Sequence, residues 1–252
     1  MTGEENAASL RVTVLGCSGT HSSAESACSG YLVRSAGATV LYDAGAGISI
    51  ELQRHVELAD LDAVIVSHEH PDHWSELPTL YHAFRYGVGR KHVPTYSTQG
   101  VRKLVDAVVP AAREYAFDWT DIDESSVVEI ADQRWTFSRT DHPVETLACR
   151  VEAGGRSLAI SSDTGPEWSP QQFGEPIDLM VYEATLPTHL ETSGIPHVSG
   201  RQAGERASNV PVGALVLTHV PPGEDADLRF RDAATTYSGP LDLAAPGKTF
   251  VA

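Results

Sequence analysis

The sequence predicts an α/β fold with two β-rich halves packed as two sheets face to face and helices on the outside. Three observations predict it. Short β-type runs crowd both halves of the chain, helical spacing separates several of them, and chemically active side chains recur where a strand ends. The chain has 252 residues, 41% of them hydrophobic, which is enough for a substantial core and does not by itself require two domains.

The first nine residues, "MTGEENAAS", are polar and acidic. They read as a flexible leader (1–9) before one domain (10–252), without the basic and apolar regions of a signal peptide. "LRVTVLG" (Leu10–Gly16) alternates like a strand, and a Ser/Gly-rich turn follows. "SGYLVRS" and "TVLYDAG" then read as paired strands about the turn "AGA". Ile48–Leu58 has helical spacing, and "LDAVIVS" (Leu61–Ser67) is a continuous apolar strand. Beyond it, Glu76–Tyr86 is expected to be helical, "VPTYS" a strand and Gly100–Val109 a helix, while Pro110–Glu124 shows no clear period. In the second half "WTFSRTDH", "TLACRVEAG", "SLAISSD", "DLMVYEA" and "ALVLTHV" are strand candidates.

Composition narrows the partners. With 34 acidic residues against 18 basic ones the formal charge is -16, which repels a polyanion such as tRNA at long range. A small anionic substrate remains admissible if cations sit at the site. The three scattered cysteines, Cys17, Cys28 and Cys149, suit a reducing cytoplasm better than a disulfide framework. No run approaches the roughly 20 apolar residues of a membrane span.

The stretch "SHEHPDHWSEL" begins where the strand Leu61–Ser67 ends, a favoured place for a site in α/β architectures. Its imidazoles and carboxylate suit Zn²⁺, and also Fe or Mn. On an extended segment His68 and His70 point to the same side and can grip one ion, while Asp72 and His73 follow Pro71 and can reach a second. Four ligands do not complete two sites. His142 after "RWTFSRT", Asp163 ending "SLAISSD" and His219 closing "GALVLTH" supply ligand-type residues just past later strands. His21, His55, His82, His92 and His189 lack such context, although His21 follows the early turn near the expected pocket.

"HEHPDH" resembles the HxHxDH signature of the metallo-β-lactamase superfamily. "SSDTGP", "YEAT", "HVSGRQA" and "LVLTHVPP" are similar to elements of its RNase Z and phosphodiesterase branch, in order from about Leu10 onward. The likeness, including "YSGPLDLA" near the end, is greatest to bacterial cyclic-nucleotide phosphodiesterases of this fold. The resemblance implies a four-layer αββα sandwich of two mixed β-sheets. It also implies two divalent ions, Zn²⁺ first with Mn²⁺ or Fe²⁺ as alternatives. His68, His70 and His142 would hold one, Asp72, His73 and His219 the other, and Asp163 would bridge. Such a pair lowers the pKa of a shared water from ~15.7 toward neutrality and so supplies hydroxide for attack on phosphorus. Asp72 would also take or orient the nucleophile's proton, and His197 would assist the phosphoryl or leaving oxygen.

For Glu183, orientation of His197 or of a ligand histidine and a purely structural carboxylate both stand open. Ser199 is read as a helix cap, Ser18 and Gly19 as a loop at the pocket wall or simply a turn, Gly45 and Gly47 as allowing unusual backbone angles, and Asp43 as indirect support. Trp74, Tyr81, Phe84, Tyr86 and Trp168 are available as walls for a base, or as packing. A small phosphodiester, a 3′,5′-cyclic nucleotide in the first place, is the expected substrate. The alternatives are tRNA 3′-processing and lactone or thioester hydrolysis on the same scaffold. A homodimer is expected from the branch, and no membrane partner.

Overall fold

The structure, a computed structural model, describes residues 9–252, so the expected leader lies outside the described residues except for Ser9. Among the described residues, seven strands form each of two sheets. In the first, β1 (Arg11–Gly16), β2 (Gly30–Arg34), β3 (Thr39–Tyr42), β4 (Ala63–Val66), β5 (Val93–Ser97) and β6 (Phe117–Asp121) lie side by side in chain order. They run antiparallel from β1 to β3 and parallel from β3 to β6. The second sheet is built from β7 (Val127–Ile130), β8 (Gln133–Arg139), β9 (Leu147–Ala153), β10 (Arg156–Ile160), β11 (Ile177–Glu183), β12 (Val212–Thr218) and β13 (Leu241–Leu243). It is antiparallel from β7 to β10 and parallel onward to β13. The last strand, β14 (Thr249–Val251), returns to the first sheet and pairs antiparallel with β1, Val12 opposite Phe250. Both sheets are therefore mixed, as expected.

Alternation along the strands explains the layers. Val12, Val14, Tyr31, Val33, Val40 and Tyr42 point inward from the first sheet and meet Trp135, Phe137, Cys149, Val151, Leu158 and Val181 of the second. Their neighbours Leu15, Leu32, Leu41 and Val64 point outward and are covered by α1 (Ile48–Leu52), α2 (Pro71–Trp74), α3 (Leu77–His82), α4 (Gln99–Val108) and α5 (Ala112–Tyr115). On the other outer face Ala159, Met180, Tyr182, Leu215 and Leu217 pack under α6 (Gly200–Ser208) and α7 (Ala226–Ala233), whose small Ala203, Ala207 and Ala233 allow close approach.

Several elements differ from expectation. The helix read over Ile48–Leu58 ends at Leu52, where the hydrogen bonds tighten to a three-residue spacing (Arg54 N to Glu51 O and His55 N to Leu52 O, both 3.0 Å) and the chain leaves the axis. Pro110–Glu124 contains α5 and β6; as an edge strand, β6 buries Phe117 and exposes much of the rest, which blurs its period. The short strands β7, β13 and β14 and the helix α7 carried too little pattern to be read. The segment expected to be helical over Glu76–Tyr86 continues past α3 as a wider, π-type turn over Ala83–Val88. No helix among the described residues is long and apolar enough to cross a membrane.

Candidate metal centre

Strands β3, β4, β8, β10, β11 and β12 all end at one rim of the sandwich, and the residues just past them converge there. After β4 the chain stays extended through His70 (φ -72°, ψ 139°), and Pro71 then opens α2 as its first residue. The extended part aims His68 and His70, and the helical turn aims Asp72 and His73. His142, Asp163 and His219 arrive from the ends of β8, β10 and β12. Thr20, Asp43, Ser162 and His219, all at this rim, are non-glycine residues with positive φ between 52° and 64°, the kind of backbone that persists where surrounding structure enforces it.

The seven side chains form two connected groups. Ligand-type atoms of His68, His70, His142 and Asp163 lie within 4.8 Å of one another, as do those of Asp72, His73 and His219. His70 Nδ1 stands 3.2 Å from His68 Nε2 and 3.1 Å from His142 Nε2. Asp163 faces both groups: Oδ2 is 3.6 Å from His68 Nε2, and Oδ1 is 3.3 Å from both His73 Nε2 and His219 Nε2. Asp72 Oδ2 is 3.3 Å from His219 Nε2 and also accepts the Thr20 N–H at 2.8 Å.

Outer hydrogen bonds fix which nitrogen carries the proton. Asp43 Oδ2 accepts from His73 Nδ1 (2.7 Å), and the Pro196 carbonyl from His142 Nδ1 (3.2 Å). Ser67 Oγ donates to Asp43 Oδ2 (3.1 Å) and thus accepts from His68 Nδ1 (3.0 Å). Thr185 Oγ1 donates to the His219 carbonyl (3.1 Å) and accepts from its Nδ1 (2.9 Å). Each of the four imidazoles thereby turns a bare Nε2 lone pair inward, toward other lone pairs and carboxylate oxygens. His73 Nε2 and Asp163 Oδ1 are buried without a hydrogen-bond partner. Acceptors facing acceptors at this range require a cation between them, so the residues fit divalent metal. The electrostatics show the negative field that a cation at this place would answer, a proton on His73 where no metal is bound. Burial opposes a charged His73, yet Asp163 and Asp43 outweigh it and raise its pKa well above the usual imidazole value. Burial and the neighbouring His73 push His68 well below it.

Beside this cluster stands His197, whose Nδ1 donates to Glu183 Oε1 at 2.8 Å and whose ring stacks on that of His219. Burial works against its charge, but Glu183 prevails and lifts its pKa to about 9. Glu183 is itself buried, Oε1 also accepting from Thr164 N (2.7 Å) and Oε2 from the Thr185 and Val198 amides (3.3 and 3.4 Å). The sequence left its role open, and the geometry pairs it directly with His197. Ser199 caps α6 in a reciprocal capping box with Gln202, which places His197 just ahead of the helix.

All nine residues singled out from sequence meet here. Asp43, expected as indirect support, bonds a cluster histidine directly. Ser67, Thr185 and the Pro196 carbonyl were missed; a hydroxyl or carbonyl that orients a ring leaves no spacing signature. Gly45 keeps a negative φ, and close approach explains it instead, because a Cβ there would fall 2.0 Å from the Asp72 carbonyl. Gly47 does take φ 92°. Gly19 lies against His219, with a Cβ position 2.7 Å from its carbonyl. Trp74, Tyr81, Phe84 and Trp168 are buried under the helical layers, whereas Tyr86 is exposed. His55 pairs with Glu51 at 3.0 Å, and exposed His21 bonds Thr20 Oγ1 at 2.9 Å.

The αββα layering and the inward-facing His/Asp set define a metal-dependent hydrolase. The chain belongs to the beta-lactamase superfamily, whose domain model matches residues 38–220. It is 28% identical to the probable metallo-hydrolase YhfI of Bacillus subtilis, covering 94% of this chain and 98% of that one. It is 31% identical to the uncharacterized protein Rv1339 of Mycobacterium tuberculosis, over 98% and 94% of the two chains. The crystal structure of YhfI superposes with a TM-score of 0.87 at 26% identity, over 97% of this chain and 100% of that one. Human tRNase Z, short form, shares the fold with a TM-score of 0.78 at 18% identity, over 95% and 98%.

Proposed function

We propose that the protein is a dinuclear phosphodiesterase acting on a small diester, a 3′,5′-cyclic nucleotide in the first place. The observation that carries this reading is His197 beside the cluster, its Nδ1 locked onto buried Glu183 at 2.8 Å. A diester releases an alkoxide, which needs a proton, and a histidine with a pKa of about 9 holds one at neutral pH. In this reading His68, His70 and His142 hold one ion and Asp72, His73 and His219 the other, with Asp163 turning one oxygen to each side. Zinc is the first expectation, with manganese or iron as alternatives, because the donor set is nitrogen and oxygen. Such a pair of cations, when bound, lowers the pKa of water and neutralises phosphate oxygens. The Thr20 amide and the approach of His219 both fall on Asp72 Oδ2, which leaves Oδ1 to take the proton of the attacking water. His197, held as imidazolium by Glu183 beforehand, then delivers its Nε2 proton to the leaving oxygen and is left as a neutral ring with Nδ1–H still on Glu183.

Ligands come from both halves of the chain, so the catalytic unit is the whole of residues 10–252. The three cysteines are free thiols, which supports a reducing cytoplasmic setting. A tRNA substrate is disfavoured by the net charge of -16. The test is a panel of cyclic mononucleotides, cyclic dinucleotides, a tRNA precursor, bis-p-nitrophenyl phosphate and an acyl lactone, each with defined zinc or manganese. Cyclic mononucleotide hydrolysis is expected. Exclusive lactone cleavage, or a clear preference for the tRNA precursor, overturns the reading.

A further inference from the structure

A cleft of about 460 Å³ opens at the same rim, between the loop after β1 and the loop after β12. Its inner wall is Ser18 and Val220, which are bridged to each other. The next residue on one side, Gly19, abuts His219, and Thr20 beyond it bonds Asp72, so the cleft and the metal cluster share this wall. The floor is mostly apolar, lined by Leu217, Leu243 and Ala244, and two carboxylates, Glu25 and Glu224, stand at the sides. No lysine or arginine lines it.

Glu224 is held in place. Its Oε2 accepts from Arg229 Nη2 at 2.9 Å, and Arg229 is a fully buried side chain whose same nitrogen bonds the Thr185 carbonyl at 3.3 Å. Thr185 in turn orients His219. One guanidinium thus ties the cleft's carboxylate to a residue that positions a cluster histidine. Among the described residues Glu224 Oε1 has no hydrogen-bond partner in the protein, and it is free to accept from a ligand.

We infer that this cleft is the subsite for the organic arm of the diester, and that the arm is a nucleoside whose base offers N–H donors to Glu224. This rests on the phosphodiesterase reading and adds its specificity. The volume lies within the roughly 300–1,000 Å³ of small-ligand pockets. Apolar walls suit a ring, a fixed carboxylate suits amino or ring N–H groups, and the two carboxylates repel any further phosphate, so a polynucleotide is excluded where a single nucleotide is admitted.

Two variants test it with the metal-loaded protein. Glu224→Gln removes the acceptor's charge, and Ala226→Trp fills the mouth from the partly exposed start of α7. For both, kcat/KM for a cyclic purine nucleotide relative to bis-p-nitrophenyl phosphate, whose arms carry no N–H donor, is expected to fall about tenfold or more, mainly through KM. An equal loss on both substrates, or no change in the ratio, overturns the subsite. If wild-type protein cleaves no diester at all, the functional reading fails separately. Direct titration with adenosine and guanosine, followed by NMR chemical shifts, then decides the cleft: binding lost in Ala226→Trp supports it, and no binding by wild type overturns it.

Discussion

At the residue scale, the site is a set of lone pairs turned toward one another by proton-donating bonds on their far sides. His70 is the member whose Nδ1 joins His68 to His142. His70→Ala is expected to lose metal loading and activity, read by elemental analysis and turnover, while circular dichroism stays near wild type because His70 is only partly buried, on the loop past β4. His197 has the opposite profile. His197→Ala is expected to retain its metal and lose on the order of 10²–10⁴ in kcat. The pH dependence has a fixed sign: His197 donates only when protonated, and Glu183 raises its pKa, so wild-type kcat should fall on the alkaline side as the ring loses its proton. A pH–rate profile checks this, and the alkaline fall should vanish in the alanine variant.

At the element scale, the strand-end loops are held by close backbone contact and by caps. Gly45→Ala would drive a methyl into the carbonyl of Asp72 and displace the start of α2, so both stability and metal affinity should drop, as measured by denaturant unfolding and chelator competition. Ser199→Ala removes one side of the capping box on α6 and should cost about 1 kcal/mol, visible as a lower unfolding midpoint at unchanged slope. These elements also show what the sequence makes legible. The continuous apolar run before Ser67 and the His/Asp spacing after it expose the metal loop, and the long central strands announce both sheets. Thr185, Ser67 and the Pro196 carbonyl are invisible because they meet their histidines across the fold. Strands of three residues, such as β13 and β14, are too short to show a period, and Gly45 was misjudged because a glycine needed for proximity looks like one needed for its dihedral angles.

At the scale of the whole molecule, the candidate ligands come from β4 on one sheet and from β8, β10 and β12 on the other. Metal therefore fastens the sheets together at the rim, and its removal should lower the melting temperature by an amount that grows with free metal concentration before chelation; calorimetry with and without chelator checks this. The surplus of negative charge predicts weak tRNA association even at low salt, measurable by filter binding. The return of β14 to pair with β1 has its own consequence for how the molecule is made. While the chain emerges from the ribosome, β1 has an open flank, with amide and carbonyl groups able to recruit a strand from another nascent copy, until residues 249–251 arrive to close it. Truncation before that strand should thus show itself first as aggregation during synthesis.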